Sequence, residues 1–207
     1  MKHTVHACAV LLLLFHTLSA HAADPAAGKS LYGTCVACHG AAGEGMLALN
    51  APALAGQQGA YLLRQLEHFK SGLRGADPKD SLGMQMRGMA ATLADATAVE
   101  DVVAYIGTLP VPATPAGPDY NKRNGENQYN AACGACHGGT AQGNPALNAP
   151  RLAGLDAAYL KRQYRNFGDG IRGSHKDDRY GRQMKMMATM LKTEQDLNDV
   201  IGYILAQ

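Results

Sequence analysis

Cys35-Val36-Ala37-Cys38-His39 and, 98 residues further on, Cys133-Gly134-Ala135-Cys136-His137 decide the reading of this 207-residue chain. Each pentapeptide is C-x-x-C-H, the attachment signature of c-type haem. The residue types follow from the chemistry. Two thiols add across the two vinyl groups of a porphyrin and hold it by thioether bonds, and the adjacent imidazole reaches the iron as the proximal axial ligand. Two rival readings of C-x-x-C fit less well. A structural zinc site draws its cysteine pairs from one short ribbon, and a thioredoxin-type redox pair follows a strand in a βαβ unit. Here the pairs stand far apart, and no stretch of the chain alternates as a strand does.

Working outward from these motifs, a constant offset of 98 maps one half of the chain onto the other. It carries Asn50-Ala51-Pro52 onto Asn148-Ala149-Pro150, Leu54-Ala55-Gly56 onto Leu152-Ala153-Gly154, and Ala60-Tyr61-Leu62 onto Ala158-Tyr159-Leu160. It also pairs Arg64-Gln65 with Arg162-Gln163, Arg74-Gly75 with Arg172-Gly173, and Tyr105-Ile106 with Tyr203-Ile204. Upstream of the motifs the register slips by one residue: Gly28-x-x-x-Tyr32 sits one position nearer its first cysteine than Gly125-x-x-x-Tyr129. Self-similarity of this kind marks a duplicated module. Between the copies, Leu109 to Pro118 holds four prolines in ten residues, a composition that opposes helix and favours extended backbone. The domains expected are 1–22 as a signal peptide, 23–109 as the first module, 110–118 as a linker and 119–207 as the second module.

The N-terminus has the form of an export signal. Lys2 and His3 precede a mostly apolar run from Ala7 to Leu18, and Ala20-His21-Ala22 fits a small-residue cleavage site, so the mature chain is expected to start at Ala23. Cys8 leaves with the leader, and the four remaining cysteines all belong to the two motifs. Haem is attached to such motifs outside the bacterial cytoplasmic membrane, so leader and motif together predict a periplasmic protein, free or held peripherally at the membrane.

Within each module the pattern is helical, and the fold class expected is all-α: two tandem domains, each wrapped around one covalently bound haem. Helices are expected over Asp24 to Cys38 and Gly125 to Cys136. Tyr61, Leu62, Gln65, Leu66 and Phe69 share one helical face, and Tyr159, Leu160, Gln163, Tyr164 and Phe167 repeat it. A last helix starts near Asp95 or Thr97, with Glu100 placed to close a capping box on Thr97, and buries Val99, Val102, Val103 and Ile106. In the second copy Thr193 and Asp196 cap a stripe of Leu197, Val200, Ile201 and Ile204. Modules of about 90 residues are small for a self-sufficient core, and a covalently held macrocycle supplies an apolar centre.

The proximal ligands are His39 and His137. The sixth ligand comes from downstream. Met84, Met86 and Met89 are available in the first module, and Met184, Met186, Met187 and Met190 in the second; only Met86/Met184 and Met89/Met187 match under the offset. The other histidines of the mature chain, His68 and His175, align with Asn166 and Asp77, which argues against bis-histidine ligation. Arg64, Arg74, Arg162 and Arg172 recur in both modules and suit either a solvated face or the haem propionates. Residues 23–118 carry 6 Lys+Arg against 8 Asp+Glu, whereas 119–207 carry 12 against 9. This asymmetry can orient a redox partner, and the near-neutral total does not indicate nucleic acid.

With both C-x-x-C-H motifs, both Pro-x-Leu-Ala-Gly segments, the Tyr-Leu-x-x-Gln helices and the Met-x-x-Met-Ala-x-x-Leu segments at Met86 and Met184, the chain resembles the cytochrome c4 family, dihaem proteins made of two fused class I modules. The resemblance covers essentially the whole mature sequence. It implies two haem c groups bound through Cys35, Cys38, Cys133 and Cys136, with axial ligands His39 and Met86 on one iron and His137 and Met184 on the other. It also implies that the carbonyls of Pro52 and Pro150 accept hydrogen bonds from the proximal histidines, which orients a ligating imidazole. The function expected is single-electron transfer between redox proteins such as a quinol-oxidising complex, a terminal oxidase or a dehydrogenase, with no catalytic residue. Two other functions share parts of the pattern. One is a cytochrome subunit of a flavin-containing sulfide dehydrogenase. The other is a dihaem peroxidase, which needs an open iron and is opposed by the paired methionines.

Overall fold

A computed structural model of the chain describes residues 22–207; the expected leader, Cys8 included, lies outside the described residues but for Ala22. The first module contains α1 (Pro25–Tyr32), α2 (Val36–His39), α3 (Gly59–Ser71), α4 (Ser81–Ala90) and α5 (Ala96–Thr108). The second repeats them as α6 (Lys122–Ala132), α7 (Gly134–His137), α8 (Ala157–Gly168), α9 (Arg179–Met187) and α10 (Glu194–Leu205). Among the described residues there is no strand, only the isolated bridges Met46–Ala51 and Asn144–Ala149. No described helix is long and apolar enough to cross a membrane. Residues 110–121 between the modules form no helix, as the proline spacing requires.

In each module the first and last helices cross at a glycine. A Cβ on Gly28 would lie 1.9 Å from the Asp101 carbonyl oxygen, and one on Gly125 would lie 2.3 Å from that of Asp199. The crossing is pinned by carboxylates: the Asp24 N–H donates to Asp101 Oδ1 at 2.7 Å, and the Asn121 N–H to Asp199 Oδ1 at 2.9 Å. The apolar stripes of α5 and α10 turn inward as their periodicity predicts. Val99, Val102, Val103 and Ile106 are buried, and so are Leu197, Val200, Ile201 and Ile204. Tyr32 and Tyr129 are buried and stack at a tilt against Tyr105 and Tyr203, with ring centroids 5.3 and 5.1 Å apart.

Two expectations are corrected. The N-terminal helices do not run unbroken into the motifs. α1 stops at Tyr32 and α6 at Ala132, and a separate turn of helix carries each Cys-His pair. The one-residue slip is absorbed at that break: Cys35 N–H bonds the Tyr32 carbonyl three residues back, whereas Cys133 N–H bonds that of Tyr129 four residues back. The tyrosines consequently occupy equivalent places. Secondly, α5 is capped by Asp95, whose side chain accepts from Ala98 N–H, so Thr97 falls inside the first turn and forms no capping box with Glu100. The box expected at Thr193 and Asp196 is present. The methionine segments are also helical: α4 and α9 are capped by Asp80 and Asp178, which accept from Gly83 and Gly181 N–H at 3.0 and 2.8 Å.

Gly28→Ala is expected to destabilise the first module by about 1–3 kcal/mol, since the helix crossing must open, and Gly125→Ala to do the same to the second. Urea unfolding followed by circular dichroism will show this, with the larger shift in the module that carries the substitution.

Candidate functional site

The loop after each motif folds back onto the histidine. Gly45 N–H donates to the His39 carbonyl at 2.8 Å, and Met46 pairs with Ala51. This brings the Pro52 carbonyl to 2.8 Å from His39 Nδ1. In the second module Gly143 N–H bonds the His137 carbonyl and Pro150 O lies 2.8 Å from His137 Nδ1. The residue after each histidine is held too, because Tyr32 and Tyr129 donate their hydroxyls to the Gly40 and Gly138 carbonyls at 2.8 and 2.6 Å. Nδ1 must carry the proton to donate to a carbonyl, which leaves Nε2 as the lone-pair nitrogen. Burial pushes both imidazoles below their ordinary range, against the opposing effect of the proline carbonyls, so each is neutral and ligand-ready.

The methionine helix of each module lines the same cavity as its histidine. One cavity runs through both modules; His39, Cys35, Cys38, Pro52, Met86 and Met89 line its first half, and His137, Cys133, Cys136, Pro150, Met184 and Met187 its second. Met84, Met186 and Met190 lie on the exposed surface away from it. Met86 and Met89 share a face because they are three residues apart on α4, and Met184 and Met187 share one on α9. Met86 and Met184 are half-buried, whereas Met89 and Met187 are 40% and 37% exposed. The thiols do not resemble a reactive redox pair. Burial pushes Cys35 up, and burial with Cys136 alongside pushes Cys133 up to about 12, away from the depressed values that activate a thiolate.

The four repeated arginines meet at the junction of the modules. Arg74 donates to Gln65 of its own module at 2.9 Å and to Tyr159 and Gln163 of the other, both at 3.2 Å. Arg172 donates to Gln163 of its own module at 2.7 Å and to Tyr61 and Gln65 across the junction at 3.2 and 2.7 Å. Further out, Arg64 bonds the side chain and carbonyl of Asn148, and Arg162 those of Asn50. The pattern is reciprocal under the offset, as in a two-fold dimer interface. The symmetry is broken at Gln57, which exchanges two hydrogen bonds with the backbone of Arg151. Sequence reasoning left the arginines between a solvated face and the propionates, and it missed the junction because reciprocal partners 84 to 112 residues apart leave no local signal.

The cavity fits a haem in each half. Each offers two thiols, a lone-pair imidazole nitrogen and a thioether among its lining residues. The junction end calls for anions. Burial pushes the Tyr61 phenol up, but Arg172, Arg74 and Arg64 outweigh it and bring it down to about 8. The Nε groups of Arg64, Arg74 and Arg162 are buried without an acceptor among the described residues. Propionate carboxylates would supply the acceptors these donors need, and a planar guanidinium is suited to them.

Known proteins resemble the chain along its length. The family model for cytochrome c matches residues 25–110 and again 123–207. The chain is 34% identical to cytochrome c4 of Azotobacter vinelandii over 94% of this chain and 95% of that one. It is also 34% identical to a thiosulfate dehydrogenase electron acceptor of Thiomonas intermedia, over 67% of this chain and 64% of that one. The crystal structure of reduced cytochrome c4 from Pseudomonas stutzeri superposes with a TM-score of 0.71 at 30% identity, covering 89% of this chain and 98% of that one.

Arg172→Ala removes three donors from the junction and is expected to cost about 3 kcal/mol. Arg74 shares both glutamine acceptors, so a double-mutant cycle with Arg74→Ala should be clearly non-additive. Thermal unfolding and the rate of protease nicking within 110–121 will measure both effects.

Proposed function

The chain belongs to the cytochrome c family and, within it, to the dihaem cytochrome c4 electron carriers, and on that footing we propose that it is a periplasmic protein passing single electrons between respiratory redox partners through two haems of His/Met ligation. When bound, the two haem c groups supply reversible one-electron iron chemistry. The chain's own residues do the rest. Cys35, Cys38, Cys133 and Cys136 anchor the macrocycles covalently. His39 and His137 present Nε2 to the iron, their rings oriented and their basicity raised by Pro52 and Pro150. Met86 and Met184 complete the coordination; a thioether favours the ferrous state more than a second imidazole does and raises the potential. The observation that supports this reading is that a Cys pair, a histidine and a methionine from each module line one shared cavity. A methionine offered to each iron as well as a histidine would leave no site for a substrate there, which supports a carrier over a peroxidase. The half-buried setting of Met86 and Met184 supports their choice over the more exposed Met89 and Met187. The domain limits proposed are 23–109 and 119–207, joined by 110–118, with export directed by residues 1–22.

A second reading makes the chain the electron-accepting partner or subunit of a dehydrogenase, and the likeness to the thiosulfate dehydrogenase electron acceptor favours it. Co-purification of a catalytic subunit from periplasmic extract would select this reading; isolation as a lone dihaem chain selects the free carrier.

Mass spectrometry of exported protein is expected to give an N-terminus at Ala23 and two covalent haems. Met86→Ala should abolish the thioether-to-iron charge-transfer band of the first haem and admit carbon monoxide, and Met86→His should keep it six-coordinate while lowering its potential. Met89→Ala should leave the band in place. Equivalent changes at Met184 and Met187 should act on the second haem alone. Loss of the band in Met89→Ala but not in Met86→Ala would move the ligand by three residues.

A further inference from the structure

The junction also departs from the two-fold repeat at a titratable group. His68, on α3 of the first module, places Nδ1 3.7 Å from Oδ1 of Asp178 in the second, with side chains only 14% and 6% exposed. Asp178 has two further roles. It is the N-cap of α9, accepting from Gly181 N–H at 2.8 Å, and it lines the shared cavity. α9 is the helix that carries Met184. At the mirror position the second module has Asn166, also buried, and Asp80 caps α4 in the same way, but an amide does not titrate. The first module therefore contributes to the second a proton-binding group that it does not receive in return.

We propose that His68 is a positioning residue that sets the reduction potential of the second haem and makes that potential pH-dependent, acting across the module junction through Asp178 at the head of the helix that bears Met184. The inference rests on the His/Met reading above. Its sign follows from electrostatics. A proton on His68 adds positive charge behind a cavity-wall carboxylate in a poorly solvated junction, where charge is weakly screened. Positive charge favours the less positive iron, so protonation raises the potential and deprotonation lowers it. The groups facing His68 are Asp178 on the α9 cap, Arg64 on its own helix, and Arg172 and Arg74 on the loops that follow α8 and α3. Burial disfavours the imidazolium, Asp178 favours it and the three guanidiniums oppose it; the balance holds His68 below its ordinary range. Linkage makes the effect mutual: reduction of the second haem must raise the affinity of His68 for its proton by the same factor.

The test uses the full holoprotein, titrated spectroelectrochemically from about pH 4.5 to about pH 8, the range in which a histidine changes charge. Met86→His and Met184→His assign the two waves, each lowering its own. The second wave is expected to fall as pH rises through the His68 titration, the oxidised-to-reduced ratio at fixed potential changing about fivefold or more, while the first stays level. His68→Asn installs the residue the repeat already uses at this place and should flatten the second wave. Asp178→Asn keeps a capping side chain and should move the step to lower pH. By proton NMR, the His68 imidazole should titrate at higher pH in the reduced protein than in the oxidised. A pH dependence that survives His68→Asn, or that appears on the first wave, overturns the inference while leaving the ligands assigned. If neither histidine variant moves a wave, the His/Met reading has failed and the inference fails with it.

Discussion

The 2.8 Å hydrogen bond from each histidine ring to a proline carbonyl thirteen residues later is the contact on which the rest of each module depends. It joins the short motif helix to the loop that folds back over it, selects the tautomer, and turns Nε2 into the available ligand. The bond needs the chain on both sides held in place. Tyr32 and Tyr129 do this from the first helix, gripping the carbonyl that follows the histidine. Those tyrosines are in turn buried by the crossing of first and last helices, and the crossing is close because Gly28 and Gly125 present no side chain to the carbonyls of Asp101 and Asp199. The path from a glycine in the first helix to the orientation of an imidazole is thus a continuous set of packed contacts. The single-residue slip between the modules is tolerated because it is taken up in one turn before reaching that path.

The second organising feature is the junction. Two buried guanidiniums, Arg74 and Arg172, share the oxygens of Gln65 and Gln163, and each reaches a tyrosine hydroxyl of the opposite module. Like charges this close are unfavourable unless anions neutralise them. The buried, unaccepted Nε groups of Arg64, Arg74 and Arg162 point to the same need. Haem carboxylates would meet it, and cofactor binding and module docking would then stabilise one another. Against this symmetric background the link between His68 and Asp178 stands out, because it couples a proton in one module to the methionine helix of the other.

Much of this was legible before any coordinates. The spacing of Cys35, Cys38 and His39 encodes covalent haem attachment by itself, since the three atoms that bind must come from adjacent residues. The duplication, the proline-rich connection and the inward stripes of α5 and α10 were legible for the same reason: periodicity and repetition are local properties of a chain. The two methionine pairs could be selected by register alone. What remained hidden was non-local. The breaks at Tyr32 and Ala132 depend on how a turn is taken up against the last helix. Asp95 displaced Thr97 as the cap because its carboxylate reached Ala98 N–H, a competition that the capping-box pattern does not rank. Spacing leaves the sixth ligand open between Met86 and Met89; the resemblance favours Met86, and its lower exposure, which depends on how the whole helix packs, supports the same proposal. The destination of the four arginines depended on partners 84 to 112 residues distant, and the exception at His68 could be seen only once both copies were docked. The chain's sequence therefore determined which chemistry each module carries, because that chemistry is written in short spacings. Only the tertiary structure decided how the modules face and influence each other, because contacts across a junction are set by docked surfaces and not by neighbours along the chain.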